Sequence, residues 1–184
     1  MSIPVRRIVT GHDADGKAVI IMDGPAPNQK TRSPGSPTST LLWVNDETPA
    51  DISHNTDRAD RTIGVPPPPA GAIMRIVDFP PIPKGGAKID NATMLKEMGI
   101  DSGPNASAAR SPFMHRTRSI DYAVVISGEI DMLMDDTEVH MKAGDTLVQQ
   151  GTNHAWENHS NENCRILFVL IDAVAPPGWK GADH

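Results

Sequence analysis

The second half of the chain alternates apolar and polar positions in short runs. In EIDMLMD (129–135), Ile130, Met132 and Met134 alternate with Glu129 and Asp131, the period of a strand with one buried face. Around it FMHRTR (113–118), IDYAVVIS (120–127), EVHMK (138–142), DTLVQQ (145–150), HAWENH (154–159) and CRILFVLIDA (164–173) are strand candidates, separated by the turn signals SGE, DDT, AGD, GTN and SNEN. Strands so closely spaced predict an antiparallel sandwich or barrel.

Upstream the pattern is less regular. VRRIVT (5–10) and KAVIIMD (17–23) flank GHDADG, whose Asp-Gly pair supplies turn chemistry, and predict a hairpin with a long connection. GPAPNQKTRSPGSPT (24–38) reads as a loop and STLLWV (39–44) as a strand. The polar stretch 45–70 ends in VPPPPA and reads as an extended spacer over the surface. GAIMRIVDFPP (71–81) restarts strand character. In DNATMLKEMGI (90–100), an Asn or Asp at the N-cap, apolar Met94, Leu95 and Met98, and a closing Gly99 predict one short helix. SGPNASAARSP (102–112) is a further loop.

Composition supports a mainly β chain: 184 residues hold 17 prolines and 15 glycines but only three Trp, three Phe and one Tyr. The length suits a single domain with an appendage. A net charge of −6 without a basic block argues against nucleic acid or an anionic membrane as partner, because binding phosphates takes clustered cations. The single cysteine, Cys164, excludes an intrachain disulfide and lies beside an apolar run, so it is expected to be a buried thiol. The N-terminus lacks an apolar signal core and no apolar run nears the ~20 residues of a membrane span, so a cytoplasmic protein is expected.

Candidate chemistry sits on two segments. His115, Thr117, Ser119 and Asp121 share parity and face one side of an extended chain; His154, Trp156 and Asn158 do the same. Polar groups on an inward face are costly unless they bind something. Gln149 and Gln150 put at least one amide inward, while Tyr122 belongs to the outer face and Arg116 and Arg118 lie outside the site. His140 and His159 read as surface residues.

These two segments resemble the paired motifs of the cupin superfamily, small antiparallel barrels of jelly-roll type. His115, Thr117, Asp121 and Gly128 fall on the first motif, where the family usually has two histidines, a glutamate and a glycine. Gly144, His154 and Asn158 fall on the second, with one residue fewer between Gly144 and His154 and with Gln150 in place of a proline. The resemblance covers about residues 71–174 and implies a barrel over 71–175. Residues 1–70 then form a hairpin, a strand and a Pro-rich arm packed on it, and 176–184 a tail.

It also implies a metal held by His115, Asp121 and His154, with Thr117 in place of a usual histidine supporting a water or the substrate. Two imidazoles and a carboxylate suit Fe(II) and leave positions open, although zinc, manganese, nickel, cobalt or a metal-free polar pocket are alternatives. The leading expectation is a metal-dependent oxidoreductase, a dioxygenase, acting on a small organic molecule inside the barrel. Thr117, Asp121 and His154 are its expected catalytic groups; Gln149, Trp156 and Asn158 are expected to bind substrate. A non-redox lyase, decarboxylase, isomerase or cyclase is the first alternative, with Asp121 or His154 as general base. A non-enzymatic ligand-binding module is the second. Exposed sheet edges lead to the further expectation of a homodimer.

Overall fold

The structure, a computed structural model, describes residues 4–32, 35–83, 91–100 and 110–179. Two strands come first, β1 (Arg6–His12) and β2 (Ala18–Pro25), followed by β3 (Gln29–Thr31), β4 (Thr38–Asn45) and β5 (Ala72–Phe79). One helix, α1 (Asn91–Met98), precedes β6 (Ser119–Ser127), β7 (Glu129–Leu133), β8 (Glu138–Lys142), β9 (Thr146–Gln150), β10 (Ala155–Glu157) and β11 (Cys164–Asp172). The fold is an antiparallel jelly-roll barrel. A six-stranded sheet, in the order β3-β4-β5-β11-β6-β9, faces a three-stranded sheet, β10-β7-β8, while β1 and β2 form a separate hairpin.

Alternation along the strands produces the core between the two sheets. Ala123 and Val125 of β6 and Ile166, Phe168 and Leu170 of β11 pack against Ile130 and Met132 of β7, Met141 of β8 and Trp156 of β10. The turn from β6 to β7 requires its glycine. Gly128 has φ 76°, and a Cβ there would stand 2.6 Å from the Asn163 carbonyl oxygen and 2.9 Å from Cys164 Cα.

The N-terminal strands continue the barrel's larger sheet across residue 70: β4 pairs with β5 from Thr38↔Asp78 to Asn45↔Ala72. Strand β3 lies inside the stretch that reads as a loop; with three exposed residues it has no buried face to leave a pattern. The segment after β4 is more than a spacer, since Ala59 and Ile63 pack on Leu41, Val44 and Ile73. The hairpin side covers the sheet's other face, where Val5, Leu42 and Ile76 form a small cluster. Arg7 fixes it there by donating to the Leu42 carbonyl and pairing with Asp57.

Helix α1 matches its predicted position. It stops at Gly99, which has φ 70°, and the amides of Gly99 and Ile100 close on the carbonyls of Lys96 and Leu95. Val65 donates to the Met98 carbonyl at 2.8 Å, tying the helix to the arm. Asp90, one of the two N-cap candidates, and most of the loop expected at 102–112 lie outside the described residues. FMHRTR is not a full strand: its pairing is a single antiparallel bridge between His115 and His154. No described helix is long and apolar enough to cross a membrane.

Candidate functional site

The barrel encloses a cavity of about 130 Å³ whose wall is mainly apolar, with Phe79, Phe113, Trp156, Phe168 and Leu170 among its lining residues. Val65 from the arm and Met98 from α1 also line it. Its polar groups come from separate pieces of chain brought together by the sheet. Strand β6 supplies Asp121, the segment before it His115 and Thr117, the turn before β10 His154, and β5 Arg75.

The parity argument holds over 117–121. Thr117, Ser119 and Asp121 are all buried, and their side chains form a chain of hydrogen bonds. The Thr117 and Ser119 hydroxyls lie 2.7 Å apart, and Ser119 Oγ donates to Asp121 Oδ1 at 2.6 Å. Register places Gln149 of β9 opposite Asp121. Its Nε2 donates to Asp121 Oδ2 at 3.2 Å and lies 3.1 Å from His154 Nδ1. Gln149 is therefore the inward amide of its pair, and Gln150 is exposed.

The two histidines stand side by side because their backbones exchange both bridge hydrogen bonds, at 2.8 and 2.9 Å. Their ring centroids are 4.4 Å apart. His115 Nδ1 lies 2.8 Å from the Phe113 carbonyl and His154 Nδ1 3.0 Å from that of Thr152, contacts that orient the two rings. Burial pushes the His154 imidazolium down to about 3, with His115 repulsion second; His115 is lowered by burial too. Both rings are neutral at pH 7. Asp121 moves oppositely: burial raises it to about 6, against the opposing effects of the Ser119 hydrogen bond and the Arg75 charge.

The expected metal ligands thus all reach one cavity, but they do not form one ligand set. Among the described residues no group of three or more His, Cys, Asp or Glu side chains is gathered to hold a metal ion. The chemistry of the donors explains this. Both Asp121 oxygens accept hydrogen bonds, from Ser119 and Gln149, and the Gln149 amide stands between the carboxylate and His154. An amide donor in that position serves a carboxylate; it is no ligand for a cation. Thr117 spends its hydroxyl on Ser119.

Trp156 lines the cavity and also belongs to the core, its ring 5.5 Å from Phe168 and 6.2 Å from Phe79. Asn158, expected with the substrate-binding residues, lies apart from the cavity wall. Its Nδ2 donates to the carbonyls of Phe79 and Glu162, and its Oδ1 accepts from the Ser160 amide and hydroxyl. That capacity is spent on holding a turn.

Other residues lie where the alternation places them. Tyr122 is on the outer face, Arg118 pairs with Asp172 at 3.5 Å, and Arg116 stacks over Trp179. His140 and His159 are exposed, each beside a carboxylate. Cys164 is fully buried, and burial raises its thiol to about 11, so it is inert.

A cupin-domain family model matches residues 103–170. Phomopsin biosynthesis cluster protein C' of Diaporthe leptostromiformis is 32% identical over 174 residues, spanning 91% of this chain and 78% of that protein. The chain belongs to the cupin superfamily. This cupin is also 31% identical over 176 residues to oryzines biosynthesis cluster protein J of Aspergillus oryzae, across 92% of its own length and 83% of the relative. The cupin-domain-containing oxidoreductase fogC of Aspergillus ruber is 28% identical over 174 residues, covering 91% of this chain and 72% of that one.

Sequence reading missed Arg75 and Arg32, both on the cavity wall. Arg75 left a signal. It shares parity with Ile73, Val77 and Phe79 in β5, so the alternation already placed a guanidinium on the inward face.

Proposed function

We propose that this cupin is an enzyme of oxidoreductase type that takes a small, partly apolar organic molecule into the barrel and moves a proton on it, with Asp121 as the base. The observation that carries this reading is the buried hydrogen-bonded chain Thr117–Ser119–Asp121–Gln149 with His154 beside it, of which Thr117, Asp121 and His154 line a mainly apolar cavity. A carboxyl raised to about 6 is divided between its acid and base forms near neutral pH, which suits a group that both takes and returns a proton. The neutral imidazoles of His115 and His154 turn Nδ1–H to backbone carbonyls, so each keeps an Nε2 lone pair that can accept a hydrogen bond from a substrate hydroxyl.

Names among the relatives, including the cupin-domain-containing oxidoreductases of Aspergillus ruber and Hypocrea virens, support the reaction class. Acid–base residues by themselves deliver only an internal oxidation–reduction, an isomerisation that needs no outside oxidant. When hydrogen moves between neighbouring carbons of a hydroxy-carbonyl compound, one carbon is oxidised as the other is reduced, and only protons pass through the protein. The metal-dependent dioxygenase reading is supported by His115 and His154 standing together, and opposed by Gln149 standing between Asp121 and His154.

Solvent exchange tests the proposal. A panel of small hydroxy- and oxo-carbonyl compounds in D2O is expected to show wild-type deuterium incorporation at one carbon by NMR. Asp121→Asn should slow it by about 100-fold or more, the usual worth of a positioned base. Exchange unchanged in that variant would overturn the assignment. Anaerobic Fe(II) reconstitution followed by metal analysis is expected to give substoichiometric iron; one iron per chain, lost in His154→Ala, would restore the three-ligand metal site.

A further inference from the structure

The chain leaves β11 at Asp172 and runs through AVAPPG without strand or helix. Residues 174–178 are exposed, Val174 at 97%. Trp179 is not. A turn with Gly178 at φ 83°, closed by the Trp179 amide on the Pro176 carbonyl at 3.2 Å, brings its side chain back half-buried against the barrel. Ordering such a tail costs conformational entropy, which the contacts of its one large aromatic side chain must offset.

Two contacts hold the indole. The Arg116 guanidinium carbon lies 4.6 Å from the ring centroid, within cation–π range. At Gly151 a Cβ would stand 3.1 Å from the indole Cζ3 and Cη2 and 3.2 Å from the Thr117 carbonyl oxygen, so the ring rests where only glycine leaves room for it. Gly151 has φ 59°, which favours glycine independently.

Both contacts fall on the segments that carry the site, on their outward side. Arg116 stands between His115 and Thr117, whose side chains line the cavity. Gly151 lies in the turn that leads from Gln149 to His154. The main-chain pairing of these two segments is one bridge with two hydrogen bonds, between His115 and His154. A full ladder fixes register through many such bonds, whereas a single bridge opens locally with ease. The start of the tail is tied to the same place, where Ala173 donates to the Arg118 carbonyl at 3.3 Å and Arg118 pairs with Asp172.

We propose that Trp179 is a positioning residue for the proton transfer: by joining Arg116 to Gly151 across the outside of the barrel, it keeps His115 against His154 and Gln149 against Asp121. Its effect on turnover rests on the proton-transfer reading of the site, whereas the clamp itself belongs to the ligand-free chain. Trp179 is absent from the cavity wall, so it does not touch a bound substrate. Its loss displaces reacting groups and leaves the binding surface in place, and misplaced groups slow the chemistry even when binding is intact.

Amide hydrogen exchange followed by NMR on the full, ligand-free chain tests the clamp. Trp179→Ala is expected to speed exchange of the His115 and His154 amides by about tenfold, the worth of a partly desolvated cation–π contact with its apolar burial. The amides of the β5–β11 ladder should keep wild-type rates. Trp179→Phe, which retains an aromatic face for Arg116, should restore most of the protection. Unchanged bridge amides in Trp179→Ala would overturn the proposal, as would equal acceleration throughout the ladder, which marks a general loss of stability. A Trp179→Phe chain that behaves like Trp179→Ala would overturn it too.

Turnover gives the second arm. With a compound into which wild type incorporates deuterium, Trp179→Ala should lose about tenfold or more in kcat at nearly constant KM. A raised KM with unchanged kcat would place Trp179 in substrate binding and end the positioning role. If wild type incorporates no deuterium while the bridge amides respond as expected, the clamp stands and the proton-transfer reading fails. Incorporation lost in Asp121→Asn, with bridge amides indifferent to Trp179, is the reverse.

Discussion

Asp121 is held where a carboxylate is least comfortable, and this sets opposite demands on activity and stability. Its ordinary value near 3.8 rises to about 6 on folding, mainly through burial. Between these values the folded chain binds a proton that the unfolded chain has released. Asp121 therefore costs nothing below about pH 4, costs progressively more as pH rises through 6, and costs most at pH 7 and above. Asp121→Asn keeps the shape, still accepts from Ser119, meets Gln149 by turning that amide's oxygen inward, and removes the charge. It is expected to stabilise the fold at pH 7 by on the order of 2 kcal/mol while losing turnover. Thermal melts of both chains at pH 7 and pH 4 check this: the gain should be clear at the higher pH and gone at the lower. His154 works in the other direction. Lowered to about 3 by burial, it costs nothing above the unfolded value near 6.5 and costs progressively more as pH falls toward 3.

At the scale of elements, strand β6 and the turn after it do most to place the site. β6 holds Ser119 and Asp121 inward and, by pairing with β9, brings Gln149 against the carboxylate. Gly128 then reverses the chain in a space closed by Asn163 and Cys164. Gly128→Ala is expected to destabilise the chain by roughly 2 kcal/mol or more, since it combines a left-handed backbone with a collision against main chain; a urea titration measures the loss. Much of this was legible in sequence. Strict alternation in 117–121 and 129–134 identifies buried faces, and closely spaced turn signals mark the hairpins. The bond from Gln149 to Asp121 was not legible, because it depends on cross-strand register. Nor was the turn that consumes Asn158, which shares parity with His154 and Trp156 but sits past the end of β10. Arg75 could have been found, for an arginine in phase with Ile73 and Val77 breaks the apolar series.

Across the whole molecule the barrel is filled unequally. Towards β7 and β8 the sheets meet through Ile130, Met132, Met141, Cys164 and Ile166, each at most 3% exposed. On the other side Trp156, Phe168 and Leu170 turn from core into cavity wall, and the arm and α1 contribute Val65 and Met98. Stability and ligand size are thereby assigned to different parts of one interior. Met132→Ala removes volume where neighbours are close-packed, so it is expected to cost about 2–5 kcal/mol without changing which ligands bind. Phe168→Ala also loses packing, but it enlarges the space available to a bound molecule. In calorimetric titrations with straight-chain hydroxy-carbonyl compounds of increasing length, Met132→Ala should keep the wild-type length of tightest binding, whereas Phe168→Ala should move it to longer chains. If both variants shift the preference equally, the packed and hollow parts of the barrel are not independent, and the interior responds as a single deformable core.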